Sequence, residues 1–162
     1  MSLPLPAPFG VGRYLMTLVV AMSLNIAPWS GVMAPFTPDW VLLVLIYWTL
    51  AVPERVGIGH AWLIGLYSDV LTGRMLGQHA LPYILISYVC LKLHKRLRQF
   101  PILQQGFFIF LCLLLAKLLL FWIESSQTRV PLDYRYWLSA VTGTLVWPLV
   151  YSTLRAIRLL RR

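Results

Sequence analysis

Charge is what this sequence has least of. Lys, Arg, Asp and Glu together make up 12% of its 162 residues, and only five of those charged residues are acidic. An ordinary soluble domain carries about 25% charged residues. With 59% hydrophobic residues, this chain has too little polar surface to wrap a core of that size. A mean hydropathy of +0.75 also excludes a disordered chain, which needs low hydrophobicity. The length permits one compact unit and disfavours two. These exclusions leave a small polytopic membrane protein, predicted to be all-α.

Cysteine is nearly absent as well. Cys90 and Cys112 both fall in apolar runs, and no CxxC is present. They read as free, buried thiols, not as a disulfide framework or a metal site. The catalytic inventory is equally thin. His60, His79 and His94 lie on different spans or loop ends, none with a metal-ligand neighbour at helical spacing. There is no HExxH, Walker loop, GxSxG or GxGxxG. The residues thus point to no enzyme and no cofactor.

What the chain has is long apolar runs. A spanning helix needs about 20 mostly apolar residues. Six candidate spans follow, at approximately 14–33, 38–52, 56–71, 77–93, 102–123 and 137–154. The second is short, roughly 22 Å of helix against a hydrocarbon core of about 30 Å. Thr37 is the expected N-cap there, with Pro38 in the first turn and Asp39 complementing the helix dipole. Pro53-Glu54-Arg55 breaks the chain before span three. Spans two and three therefore read as a hairpin of short helices, packed inside the bundle or thinning the bilayer. Five spans result if the hairpin does not cross fully. The first span reads as a permanent helix and not a cleaved signal, with Asn25 and Pro28 predicting a kink or an early end.

The basic excess, 14 Lys and Arg against five acids, is read as membrane orientation and not nucleic-acid binding. With six crossings, one side holds Arg13, Arg55, Lys92, Lys95, Arg96, Arg98, Arg155, Arg158, Arg161 and Arg162. The other holds Arg74, Arg129 and Arg135. By the positive-inside rule both termini are expected in the cytoplasm. Trp29, Trp40, Trp122 and Trp137 then fall at the outer ends of spans, as an interfacial aromatic belt would.

Two ionisable residues lie within apolar spans, Asp69 and Lys117. Such groups are functional candidates, because they are costly to insert. Both belong to the outer half, Lys117 roughly 9 Å deep, so a pair between them is compatible with the topology. A proton or substrate site is one reading. The favoured reading is structural: an ion pair, or a snorkelling Lys beside an Asp bonded to a helix end. Gly57, Ala61, Gly65, Asp69 and Gly73 recur every four residues on span three. Small residues at that spacing allow close helix approach, either within the bundle or to a partner's transmembrane helix. Gly73 and Gly77 read as turn glycines. Lys92, Lys95, Arg96 and Arg98 end span four, and Arg155, Arg158, Arg161 and Arg162 end span six. They serve as topology anchors that meet anionic lipid or an acidic cytoplasmic partner.

The run from Pro38 and Trp40 to Tyr47-Trp48, then Pro53-Glu54-Arg55 and Asp69-xxx-Gly73-xxx-Gly77, carries a family resemblance. Gln104-Gln105, Phe121-Trp122 and Trp147-Pro148 extend it. The chain resembles the MreD family of rod shape-determining proteins from about Pro35 to the basic tail; the proline-rich start lies outside it. The resemblance implies a multi-pass bacterial inner-membrane protein of the cell-elongation machinery. It implies binding to MreC and, through it, links to the MreB filament and to RodA with its partner transpeptidase. It also implies a six-helix bundle similar to the substrate-binding component of vitamin transporters. The expected role is a non-enzymatic scaffold, and a homo-oligomer is left open. The runner-up is a small-molecule binding or transport component with a polar pocket around Asn25, Asp69 and Lys117. A third reading, a handler of lipid-linked precursors, would use Arg74, Arg129 and Arg135.

Overall fold

The computed structural model describes residues 10–129, 131 and 133–160, and among these it contains six α-helices and no strand. The apolar run Trp40–Ala51 forms helix α2. Every residue of α2 from Val41 to Leu50 is buried. A helix that is apolar on all sides must be enclosed, and the rest of the fold provides the enclosure. Helix α1 is Val11–Ile26, α3 is Ile58–Thr72, α4 is Ala80–Leu97, α5 is Ile102–Gln127 and α6 is Arg135–Leu159. Contacts run from α1 to α3, on to α4, α5 and α6, and back to α1. The five helices thus close a ring around α2, with α1, α4 and α6 touching it directly.

Large exposed apolar side chains occur on all five ring helices and on none of α2's positions. Met16, Trp62, Leu85, Leu118 and Leu145 are examples. The chain therefore has an apolar interior and an apolar outer belt, the pattern of a protein solvated by lipid. By length and composition alone, two stretches could cross a membrane, Gly31–Ala51 and Ile102–Gln127, with α1 a shorter apolar helix.

Several boundaries differ from the sequence expectation. Helix α1 stops at Ile26, and after Ala27-Pro28 the chain forms a 3-10 helix at Gly31–Phe36, so 14–33 is not one helix. Thr37 does not cap α2, because its hydroxyl donates to the carbonyl of Ala34 and closes the 3-10 helix. Asp39 is the N-cap, its carboxylate accepting from the Leu42 amide at 3.1 Å. Pro38 thus precedes the helix. Helices α5 and α6 run further than the expected spans, to Gln127 and Leu159. Arg161 and Arg162 lie outside the described residues.

Side-chain bonds sort the helix ends into two groups. Asn25, Asp39, Asp69, His79, Tyr83 and Glu124 meet at one end of the bundle. Arg13 meets the end of α6, and Arg98 the end of α2, at the other. Successive helices alternate in direction. Asp39, Asp69 and Glu124 belong to the first end, which is called polar below; the second is called basic.

Candidate functional site

The polar end is built around two carboxylates that arrive on different helices. Asp69, in the last turn of α3, is fully buried. Its Oδ2 accepts from the Gly77 amide at 2.8 Å. Its Oδ1 accepts from the His79 amide at 2.9 Å and lies 2.7 Å from His79 Nδ1. A buried carboxylate needs such donors, and the amides preceding α4 supply them. The turn exists because Gly73 and Gly77 adopt φ of +65° and +99°, a region that favours glycine. The glycines therefore aim the amides, and Asp69 closes the α3–α4 hairpin.

Asp39 gathers a second set. It accepts from Asn25 Nδ2 at 3.0 Å and from the Tyr83 hydroxyl at 2.9 Å, besides capping α2. Asn25 Oδ1 in turn accepts from the Trp40 amide at 3.0 Å. The His79 and Tyr83 rings meet edge-on, centroids 5.8 Å apart. The network Asn25–Asp39–Tyr83–His79–Asp69 thus ties α1, α2, α3 and α4 together.

Lys117 makes no hydrogen bond to that network. Its ammonium lies 4.9 Å from the centroid of the Tyr136 ring, a cation–π contact between α5 and α6. The pairing with Asp69 that the topology allows is not formed, since Asp69 is saturated by the α4 hairpin. Nearby, Glu124 accepts from Arg74 and from Gln78 Nε2, the latter at 3.2 Å.

The small-residue stripe divides by position. A Cβ on Gly65 would sit 2.3 Å from the Ala80 Cα and 2.7 Å from its amide nitrogen, so Gly65 lets α3 approach the α4 backbone. Ala61 and Asp69 are buried beside it. Gly57 and Gly73 cap the two ends of α3 instead, and a Cβ on either meets nothing within 4 Å. Tyr47 and Trp48 sit in the centre of the bundle. Trp48 packs edge-on against Tyr14 and donates to Thr17 at 3.0 Å, and Tyr47 packs against Tyr151. Pro38 is buried, Trp40 half-buried and Arg55 exposed.

At the basic end, Arg98 donates from Nε to the Leu50 carbonyl at 2.7 Å and from Nη2 to the Ala51 carbonyl at 2.8 Å. It caps α2, a role its place in a basic cluster does not reveal. Arg13 likewise donates to the carbonyls of Ile157 and Arg158, both at 3.2 Å. Lys92, Lys95, Arg96 and Arg155 are exposed, and Arg158 is half-buried. His79 and Tyr83 are the site residues that sequence reasoning misses, and Asn25, expected at a kink or in a ligand pocket, bonds Asp39 instead. The available signal is a His two residues after the Gly77 turn that follows Asp69.

No cluster of His, Cys, Asp and Glu capable of holding a metal exists among the described residues. What the polar end can do chemically is fasten helices, because each carboxylate is occupied by donors from a neighbouring element.

The profile of the rod shape-determining protein MreD matches residues 11–157. The chain belongs to the MreD family. A rod shape-determining protein MreD of Haemophilus influenzae is 35% identical over 140 residues, covering 86% of this chain and 86% of that protein. No solved structure matches the chain. MreD membership places the chain in rod-shape determination and among membrane proteins. The apolar outer belt agrees with a membrane protein.

Proposed function

We propose that this chain is a non-enzymatic inner-membrane scaffold of the bacterial cell-elongation machinery. In this reading it crosses the membrane six times with both termini in the cytoplasm. It holds MreC, and through MreC it connects MreB to peptidoglycan synthesis by RodA and its transpeptidase partner. One observation carries the reading. Four charged side chains hydrogen-bond to helix ends: Asp39 and Arg98 on α2, Asp69 on the α3–α4 turn, Arg13 on α6. They leave helix faces, not reactive groups, as the means of interaction. The exposed side chains of α3 and α4, among them Trp62, Tyr67 and Tyr88, are such a face.

The orientation is supported by charge. Arg13, Lys92, Lys95, Arg96, Arg98, Arg155 and Arg158 belong to helix ends at the basic side, which the positive-inside rule assigns to the cytoplasm. Exposed basic residues there meet anionic lipid. At the polar end Trp29 and Trp122 are exposed, which supports an interfacial aromatic belt there. Gly65, Ala61 and Asp69 serve the bundle's own packing, while Gly57, Gly73 and Gly77 set its turns.

The test is purification of the tagged chain from its native membrane in mild detergent, with protein and small-molecule mass spectrometry on one sample. Recovery of MreC with wall-synthesis enzymes and no stoichiometric metabolite is the expected result. A bound metabolite together with an ATPase module, and no MreC, would replace the scaffold with a binding or transport component of the vitamin-transporter kind.

A further inference from the structure

An apolar groove runs between α1 and α6, floored by α2. Met16, Val20, Leu24, Val44, Leu149 and Thr153 line it. It is open to the outside: Met16 is 63%, Val20 51% and Leu149 65% exposed. Its two hydroxyls are already bonded. Thr17 donates to the Tyr14 carbonyl, and Thr153 donates to the Leu149 and Val150 carbonyls. Apart from the buried indole N–H of Trp40, which has no hydrogen-bond partner, the groove presents hydrocarbon surface.

Its basic end is different. Met16, Thr17, Val20, Ala21 and Leu24 share one face of α1. Helical periodicity puts Arg13 on that same face, one turn nearer the basic end. Arg13 reaches across the groove mouth to the carbonyls of Ile157, a lining residue, and Arg158. These acceptors are neutral, and no carboxylate among the described residues lies within salt-bridge distance of Arg13. A guanidinium has five N–H donors, and the two bonds shown use only Nη1. A half-buried cation with spare donors thus stands at the end of a hydrocarbon slot. From Arg13 to Leu24 the slot measures roughly 16 Å along the helix, against about 15 Å for one leaflet's hydrocarbon.

We infer that the α1–α6 groove is a binding site for one anionic phospholipid of the cytoplasmic leaflet. Its phosphate lies at Arg13, and an acyl chain lies along Met16, Val20 and Leu149. The match of an unneutralised cation, an almost wholly apolar slot and a one-leaflet length selects this occupant. A partner's helix would supply no negative charge at the mouth unless it carried an acid there. The lipid would fix α1 to α6, the seam where the ring closes. The inference rests on the membrane placement proposed above.

Photoactivatable phosphatidylglycerol and phosphatidylcholine, each with a diazirine in the acyl chain, test it in vesicles containing the full chain. The expected result is labelling by phosphatidylglycerol concentrated at Met16, Val20, Leu149 and Thr153, in excess over phosphatidylcholine. Arg13→Gln should reduce that excess roughly fivefold, the effect of one basic residue at an anionic surface. Val20→Trp fills the slot without touching Arg13 and should abolish labelling there while other faces stay labelled. Equal labelling by the two lipids, or unchanged labelling in Val20→Trp, overturns the site. Groove residues cross-linked to a co-purified protein and to no lipid also overturn it. Extraction of the chain from membranes by alkaline carbonate would instead overturn the membrane placement itself, which keeps the two failures apart.

Discussion

Asp39 and Arg98 hold opposite ends of the same buried helix. The Asp39 carboxylate accepts from the Leu42 amide at the start of α2. The Arg98 guanidinium donates to the Leu50 and Ala51 carbonyls at its finish. Each charge also opposes the helix macrodipole at its own end. Helix α2 benefits from this, because its first amides and last carbonyls have no partner within the helix. Replacing Asp39 by Ala removes the cap and strands the Tyr83 hydroxyl. The expected loss is about 2–4 kcal/mol. Asp39→Asn should lose much less, since Asn caps nearly as well. Arg98→Ala should cost about 1.5–3 kcal/mol. The two ends are roughly 18 Å apart, so the losses should add. Thermal unfolding in detergent would read all of these, and equal losses for Asp39→Ala and Asp39→Asn would refute the capping role.

Gly65 offers a sharper steric test. A single methyl there would meet the Ala80 backbone at 2.3 Å, and backbone cannot step aside as a side chain does. Gly65→Ala should therefore destabilise the α3–α4 pair, and Gly65→Leu should prevent assembly. Gly59 is in the same helix, exposed, and a methyl added there would meet nothing within 4 Å. Gly59→Ala should raise stability by up to about 1 kcal/mol, as expected from helix propensity. If Gly65→Ala behaves like Gly59→Ala, the close approach is not what holds the hairpin.

Asp69 is a question of acceptors more than of charge. Its two oxygens take the Gly77 amide, the His79 amide and His79 Nδ1. Asn keeps one oxygen and so retains the bonds to His79, while its amide group faces the Gly77 donor. Leu keeps none. Complementation of rod shape, with folded yield measured alongside, should rank wild type above Asp69→Asn and Asp69→Asn above Asp69→Leu. Equal failure of the two variants would mean the negative charge itself is required.

Much of this architecture is written in apolar runs, and much of the polar end is not. The all-helical class follows from composition, and the early end of α1 from Asn25 and Pro28. The enclosure of α2 is visible in its unbroken apolar run. Thr37 has the look of a cap because Thr, Pro and Asp stand in the right order. The 3-10 helix before it claims the Thr37 hydroxyl, and nothing in the sequence announces that helix. Asp39 meets Tyr83, 44 positions away, through the packing of α2 on α4. Hydropathy fixes how deep a residue lies but not which way it faces round its helix. His79 lacks metal-ligand spacing, yet its partner is an acid ten positions earlier, across a glycine turn. Arg98 stands in sequence among topology anchors, and only the fold gives it the end of α2.

The same lack of azimuth makes Asp69 and Lys117 an apparent pair, and a double-mutant cycle separates the two arrangements. In the structure Lys117 faces the Tyr136 ring on α6, and Asp69 faces His79 on the α4 hairpin. Lys117→Met keeps the apolar stem and removes the cation. It should cost about 0.5–2 kcal/mol, the range of a cation–π contact. Combined with Asp69→Asn, the losses should simply add, because the two share no partner. His79→Gln combined with Asp69→Asn should not add, with a coupling of about 0.5–3 kcal/mol expected for groups in one hydrogen-bonded unit. A large coupling between positions 69 and 117, and none between 69 and 79, would restore the ion pair and dissolve the network that ties α1 through α4.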